Sequence, residues 1–186
     1  MSYVAGQHDR ILAGLVIPCV VVGVDLVAAR VRVSDGGDWS SAWVRWHALA
    51  AGKARHWRAP SLGEQGVLVS PSGEPAQGTF VPGLYGKAGA PPDNRDHVEV
   101  WRFEDGGSLV YDWQAKSYTI TLPSGTATVK VGSSEVAVTD NAITAAAGAV
   151  TINGPVTING TLRVTGDING GARIIDTAGN TPNHKH

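Results

Sequence analysis

Hydrophobic positions along this chain follow one pattern in its first half and another in its second. In the first half the apolar runs are short and mostly β-branched. Val20–Val24 reads as a buried strand, and Arg30-Val31-Arg32-Val33 alternates as a half-buried one. Asp35-Gly36-Gly37-Asp38 is a turn. Trp43–Trp46, Val67–Val69 and Thr79–Val81 read as further strands, the last closed by Pro82-Gly83. Residues 47–58 form one longer connection, and residues 1–10 a polar helix or arm. Short strands at this spacing, with one long irregular connection, predict a small Greek-key barrel of the OB type.

Residues 89–96 read as a linker through Pro91-Pro92. Val98–Phe103 and Ser108–Trp113 flank Glu104-Asp105-Gly106-Gly107, a hairpin signal, and Ser117–Leu122 adds a strand. Beyond this point the pattern becomes periodic. Gly148, Gly154, Gly160 and Gly166 are spaced by six, and between them stand Val150/Ile152, Val156/Ile158 and Leu162/Val164, followed by Ile168. Upstream the doublet recurs every seven residues, at Val129/Val131, Val136/Val138 and Ile143/Ala145. A short fixed period is the signature of β-helical architecture.

One chain cannot close such a helix. The regular hexads make little more than one three-sided coil, and a lone ribbon would order its backbone without removing its apolar face from water. Three copies around one axis can enclose their Ile and Val faces and pair their edges. An intertwined homotrimer is therefore expected.

Composition sharpens this reading. All six Trp, both Phe and all four Tyr lie at or before Tyr118. Residues 119–186 are mainly Val, Ile, Thr, Ala, Gly and Asn, as a narrow prism requires. The net charge of −1 excludes a uniformly basic nucleic-acid or anionic-membrane coat. The single cysteine, Cys19, excludes an intrachain disulfide framework and reads as a buried small hydrophobe. Residues 11–24 are too short an apolar run to span a bilayer. With Asp9 beside Arg10, Pro18 within the run and no small-x-small cleavage site, they make a poor signal peptide. Assembly in a bacterial cytoplasm and release by lysis are expected.

Two constellations carry candidate chemistry. The first is the terminal His184-Lys185-His186. In extended backbone, positions i and i+2 share a face, so His184 and His186 point one way. Two imidazoles from each of three chains make an octahedral six-nitrogen cage. That cage suits iron, nickel or cobalt better than four-coordinate zinc, although imidazole as a ligand type accepts iron, nickel, zinc and copper alike. Six ligands leave no open position, so the ion would be structural.

The second is residues 43–58, WVRWHALAAGKARHWR, which combine Arg45, Lys53, Arg55 and Arg58 with three Trp and no acid. Such a surface on an OB barrel can dock a protein through Trp anchors. The alternative is single-stranded nucleic acid held by stacking and charge. Arg45, Trp46, Arg55, Trp57 and Arg58 are the docking candidates. No nucleophile–base–orienter set and no G-x-S-x-G, H-E-x-x-H, Walker or dinucleotide motif is present. A hexapeptide-repeat acyltransferase is a further alternative, but the chain has too few hexads for one and no His within them. No enzymatic activity is expected.

RVRVSDGG (30–37), Trp43–Trp46, GKARHWRAP (52–60), SLGEQGVLV (61–69), GEPAQGTFVPGLY (73–85), VEVWRFEDGGSLVY (98–111), the repetitive tail and the terminal HKH together resemble the baseplate assembly protein V family. Its members are the central spikes of contractile phage tails and R-type pyocins. The resemblance implies OB domains docked to a baseplate hub and an intertwined β-helix below them. It further implies one iron ion per trimer at the tip, held by His184 and His186 of each chain, and penetration of the target cell's outer membrane. Related spikes often continue past the His pair. Ending at His186 would place a carboxylate beside the metal and give a sharper or less retentive tip.

The fold expected is all-β: an arm (1–12), an OB-fold domain (13–90), a linker with connecting strands (91–116), a trimeric β-helix shaft (117–176) and a metal-binding apex (177–186).

Overall fold

The computed structural model describes residues 3–171. Among the described residues it contains one α-helix, α1 (Tyr3–Leu15), followed by β1 (Val16–Asp25), β2 (Arg30–Ser34), β3 (Arg45–Trp46), β4 (Gln65–Val69), two single 3-10 turns and β5 (Thr79–Leu84). Next come β6 (Val98–Arg102), β7 (Ser108–Asp112), β8 (Ser117–Thr121), β9 (Thr126–Val131), β10 (Ser134–Thr139) and β11 (Ile143–Ala146). The chain divides into two compact units, 1–124 and 125–186.

Within the first unit, five strands form one sheet in the order β2-β1-β4-β5-β3. Val31 and Val44 exchange N–H···O bonds of 2.8 and 2.9 Å and bring β3 back to β2, so the sheet nearly closes into a barrel. Alternation along the strands sends Cys19, Val21, Val31, Val33, Leu68 and Phe80 inward, where with Val44 they form the core. The β1–β2 connection reaches its turn without glycine. The Asp25 carboxylate accepts from the N–H groups of Val27 and Ala28, an Asx turn that holds the hairpin.

Two boundaries differ from the sequence reading. The helix runs to Leu15 and takes the start of the apolar run that begins at Ile11. Gly14 and Gly73 lie so close that side chains at either position would collide with the facing backbone, and this contact seats the helix on the 71–73 turn. Strand β5 continues through Pro82-Gly83 to Leu84. Pro82 pairs with Gly66 beside a register shift, the kind of irregularity where a residue without an N–H is tolerated.

A second sheet in this unit has the order β6-β7-β8. In the second unit β9, β10 and β11 form a meander. After Ala146 the chain is extended and bends near Gly148, Gly154, Gly160 and Gly166. From residue 147 to 171 it makes no backbone hydrogen bond among the described residues, and every one of these residues is exposed.

Candidate docking surface and inter-chain faces

The basic, Trp-rich segment is anchored at both ends. The His47 N–H donates to the Phe80 carbonyl at 2.8 Å, so the segment leaves alongside β5. The His56 N–H donates to the Ala50 carbonyl at 2.9 Å and folds it back. This brings Trp57 edge-on against Trp46, with ring centroids 5.4 Å apart. Trp46 is half-buried against the core, whereas Trp57, Arg45 and Arg55 are exposed. All five candidates thus lie on one segment held by its own aromatic pair.

Arg58 has an internal role that the sequence reading missed. Its guanidinium donates to both oxygens of the buried Glu64 carboxylate at 2.9 Å, and the Ser61 N–H donates to Glu64 Oε2 at 2.9 Å. The 43–58 window contains no acid, but Ser61-Leu62-Gly63-Glu64 has the S-x-x-E spacing of a reciprocal turn, a signal that pointed to Glu64. The surface also extends beyond that window: the Arg32 guanidinium lies 5.8 Å from the Trp43 ring centre.

The linker is tied to the second sheet by charge. Arg95 pairs with Asp93 at 2.8 Å and Asp112 at 3.2 Å, and the Trp113 N–H donates to the His97 carbonyl at 3.2 Å. Hydrogen bonds from the Arg95 side chain and backbone hold the Asp93 carboxyl well below the usual carboxylate range. Nearby, the His56 ring packs perpendicular to Trp101 at 6.1 Å.

The meander brings the sequence doublets into register. Val129, Val136 and Ala145 lie side by side across its strands, and so do Ala127, Val138 and Ile143. Alternation places both rows on one face, which stands open among the described residues: Val129 is 71% and Ile143 77% exposed. The other face carries the Lys130–Glu135 pair at 3.7 Å.

Residues 17–85 match the family model of the type VI secretion system/phage-baseplate injector OB domain, and residues 99–170 that of the Gp138 beta helical trimerization domain. Over 160 residues the chain is 31% identical to the spike protein of Escherichia phage P2, an alignment covering 86% of this chain and 74% of that protein. The chain belongs to the phage baseplate V spike family. As in the expected architecture, this spike-family chain joins an OB domain to a β-helical segment, and the two matches fall on the barrel and on the strands that follow it. The apolar rows of the meander and the unpaired ribbon both lie within the trimerization match.

The expected metal ligands, His184 and His186, lie outside the described residues. Among the described residues, no group of three His, Cys, Asp or Glu side chains is placed to hold a metal ion. No described helix is long and apolar enough to cross a membrane.

Proposed function

We propose that three copies of this chain form the membrane-piercing central spike of a contractile tail or tailocin. The observation that carries this reading is the periodic apolar ribbon of residues 147–171, which makes no backbone hydrogen bond among the described residues and follows an OB barrel in a baseplate V spike. An isolated chain leaves its backbone donors and acceptors to water and its Val and Ile faces exposed. Winding three chains satisfies both at once. The result is a narrow shaft whose strands are paired along its length and resist shear.

The barrel is the fixed end. Trp57, Arg45 and Arg55 present an aromatic and basic surface to a baseplate hub, with Trp46 and Arg58 holding the segment in place. Sheath contraction supplies the force, and the shaft concentrates it on a small area of outer membrane. The role is structural, and no chemical step is assigned to the spike.

The apex is the second element of the proposal. His184 and His186 from three chains supply six imidazole nitrogens, a donor set that fits one octahedral iron ion. An ion bound there would tie the three chains together at the His pair.

Light scattering tests the trimer: a mass of three chains is expected, and a monomer overturns the architecture. Piercing is tested in tail particles that carry this spike. Ile152→Glu/Ile158→Glu introduces six carboxylates into the shaft of one trimer. Variant particles should assemble and contract but lose outer-membrane permeabilisation. Unchanged permeabilisation rejects the piercing role.

A further inference from the structure

The second sheet displays an aromatic face that the single chain does not use. In the register of β6, β7 and β8, Trp101, Leu109 and Ile120 form one row across the strands, and Glu99, Tyr111 and Tyr118 the next. Paired residues share a face, so all six stand on one side of the sheet. Trp101 is 45% and Tyr118 61% exposed. Five of the six line a shallow concavity, and the His56 ring approaches Trp101 from the barrel. An apolar surface of this kind on a three-stranded sheet marks an interface.

We infer that this aromatic face is the seam that nucleates the trimer and sets the register of its three chains. The inference rests on the trimeric reading above. Its occupant is a second copy of this chain, because the face lies within residues 99–170, the stretch that matches a trimerization domain and runs on into the shaft.

Register is the physical reason. The shaft repeats Gly every six residues with a similar apolar doublet between. A slip of one hexad therefore returns Val or Ile to the inward positions at little cost, and strands of this kind specify their alignment weakly. The aromatic face has no such repeat. A Trp, two Tyr and two aliphatic side chains of different shape can pack in one alignment only, so three chains that meet here enter the shaft in phase. The seam also bears the larger side chains, which contribute most of the burial energy at an interface. The trimer is consequently held at the root of the shaft, whatever the state of the apex.

The test uses the full chain. Tyr118 is exposed in the single chain, so Tyr118→Glu spares the barrel and strikes only the seam. Expected is loss of the trimer by light scattering at micromolar concentration, with the barrel's cooperative unfolding retained. His184→Ala/His186→Ala without metal should remain trimeric. In a separate measurement, a photo-crosslinking residue in place of Tyr118 should give covalent dimers and trimers on a denaturing gel. If the wild type is itself monomeric, the trimeric reading fails. If the wild type is trimeric but Tyr118→Glu leaves its mass unchanged, or the crosslinker joins no two chains, the seam lies elsewhere. Should Tyr118→Glu unfold altogether, the crosslinking result decides. Dissociation of the His variant would place the clamp at the apex and overturn the inference.

Discussion

Arg58 and Glu64 face each other through two parallel hydrogen bonds, Nη1 to Oε1 and Nη2 to Oε2, each 2.9 Å. The pair joins the end of the Trp-rich segment to a buried position beside β4. The environments of its two members are unequal: the Glu64 side chain is nearly buried and that of Arg58 half-exposed. Arg58→Ala leaves a buried carboxylate with one backbone donor, whereas Glu64→Ala releases a guanidinium that water can reach. Arg58→Ala should therefore cost more, about 2–3 kcal/mol against about 1–2 kcal/mol for Glu64→Ala. Chemical denaturation of both variants checks this order, and equal losses would show that the carboxylate rehydrates.

Gly66 is a point of close approach within the barrel. A Cβ there would meet the Val81 carbonyl and the ring of the fully buried Phe80. Backbone cannot yield as a flexible side chain does, so Gly66→Ala should destabilise the barrel by about 2 kcal/mol or more. Phe80→Ala, which empties the centre of the same core, should cost about 3–5 kcal/mol. Gly148→Ala, with open space around it in the single chain, should leave the barrel's midpoint unchanged.

Burial pushes the Cys19 thiol from the ordinary 9.0 up to about 11, against a smaller opposing effect of a hydrogen bond with the Leu68 backbone. Between these values the unfolded chain has lost the proton that the folded chain keeps. Stability therefore falls as pH rises from about 9 to about 11 and is independent of this group below that window. Cys19→Ala should flatten the corresponding part of the pH–stability curve. The native thiol should also resist thiol reagents at pH 8 and react after unfolding.

Removal of the two terminal imidazoles tests the apex. Protein purified without added metal should carry one iron per three chains by elemental analysis, and His184→Ala/His186→Ala should carry none. Absence of bound metal from the wild type would sink the clamp. If metal binds only the assembled form, its removal should also lower the thermal midpoint of the trimer.

The barrel strands were legible because β-branched alternation and Gly/Pro turns are local signals. Val31, Val33, Leu68 and Phe80 stand where that alternation places them, in the core. The Trp-rich segment was legible as a surface, but Arg58 was not legible as an anchor, because its partner lies beyond the segment and only the turn at Ser61–Glu64 brings them together. The helix end at Leu15 was hidden for a similar reason. Ile11 to Val24 is one apolar run, and the contact between Gly14 and Gly73, distant in sequence, accompanies its division into helix and strand.

The sequence by itself determined the period of the second half, and with it the need for other chains: a hexad ribbon without aromatics cannot bury its face alone. It also determined the chemistry at the end of the chain, since two histidines at i and i+2 need no fold to define them as a donor pair. Only the tertiary structure decided which side chains share a face. Trp101, Tyr111 and Tyr118 are separated in sequence by two hairpin turns, and strand register alone aligns them. Side-chain chemistry is written residue by residue, but a surface is made by pairing: a local turn signal announces a hairpin, whereas the register that aligns its side chains is fixed only when the strands pair.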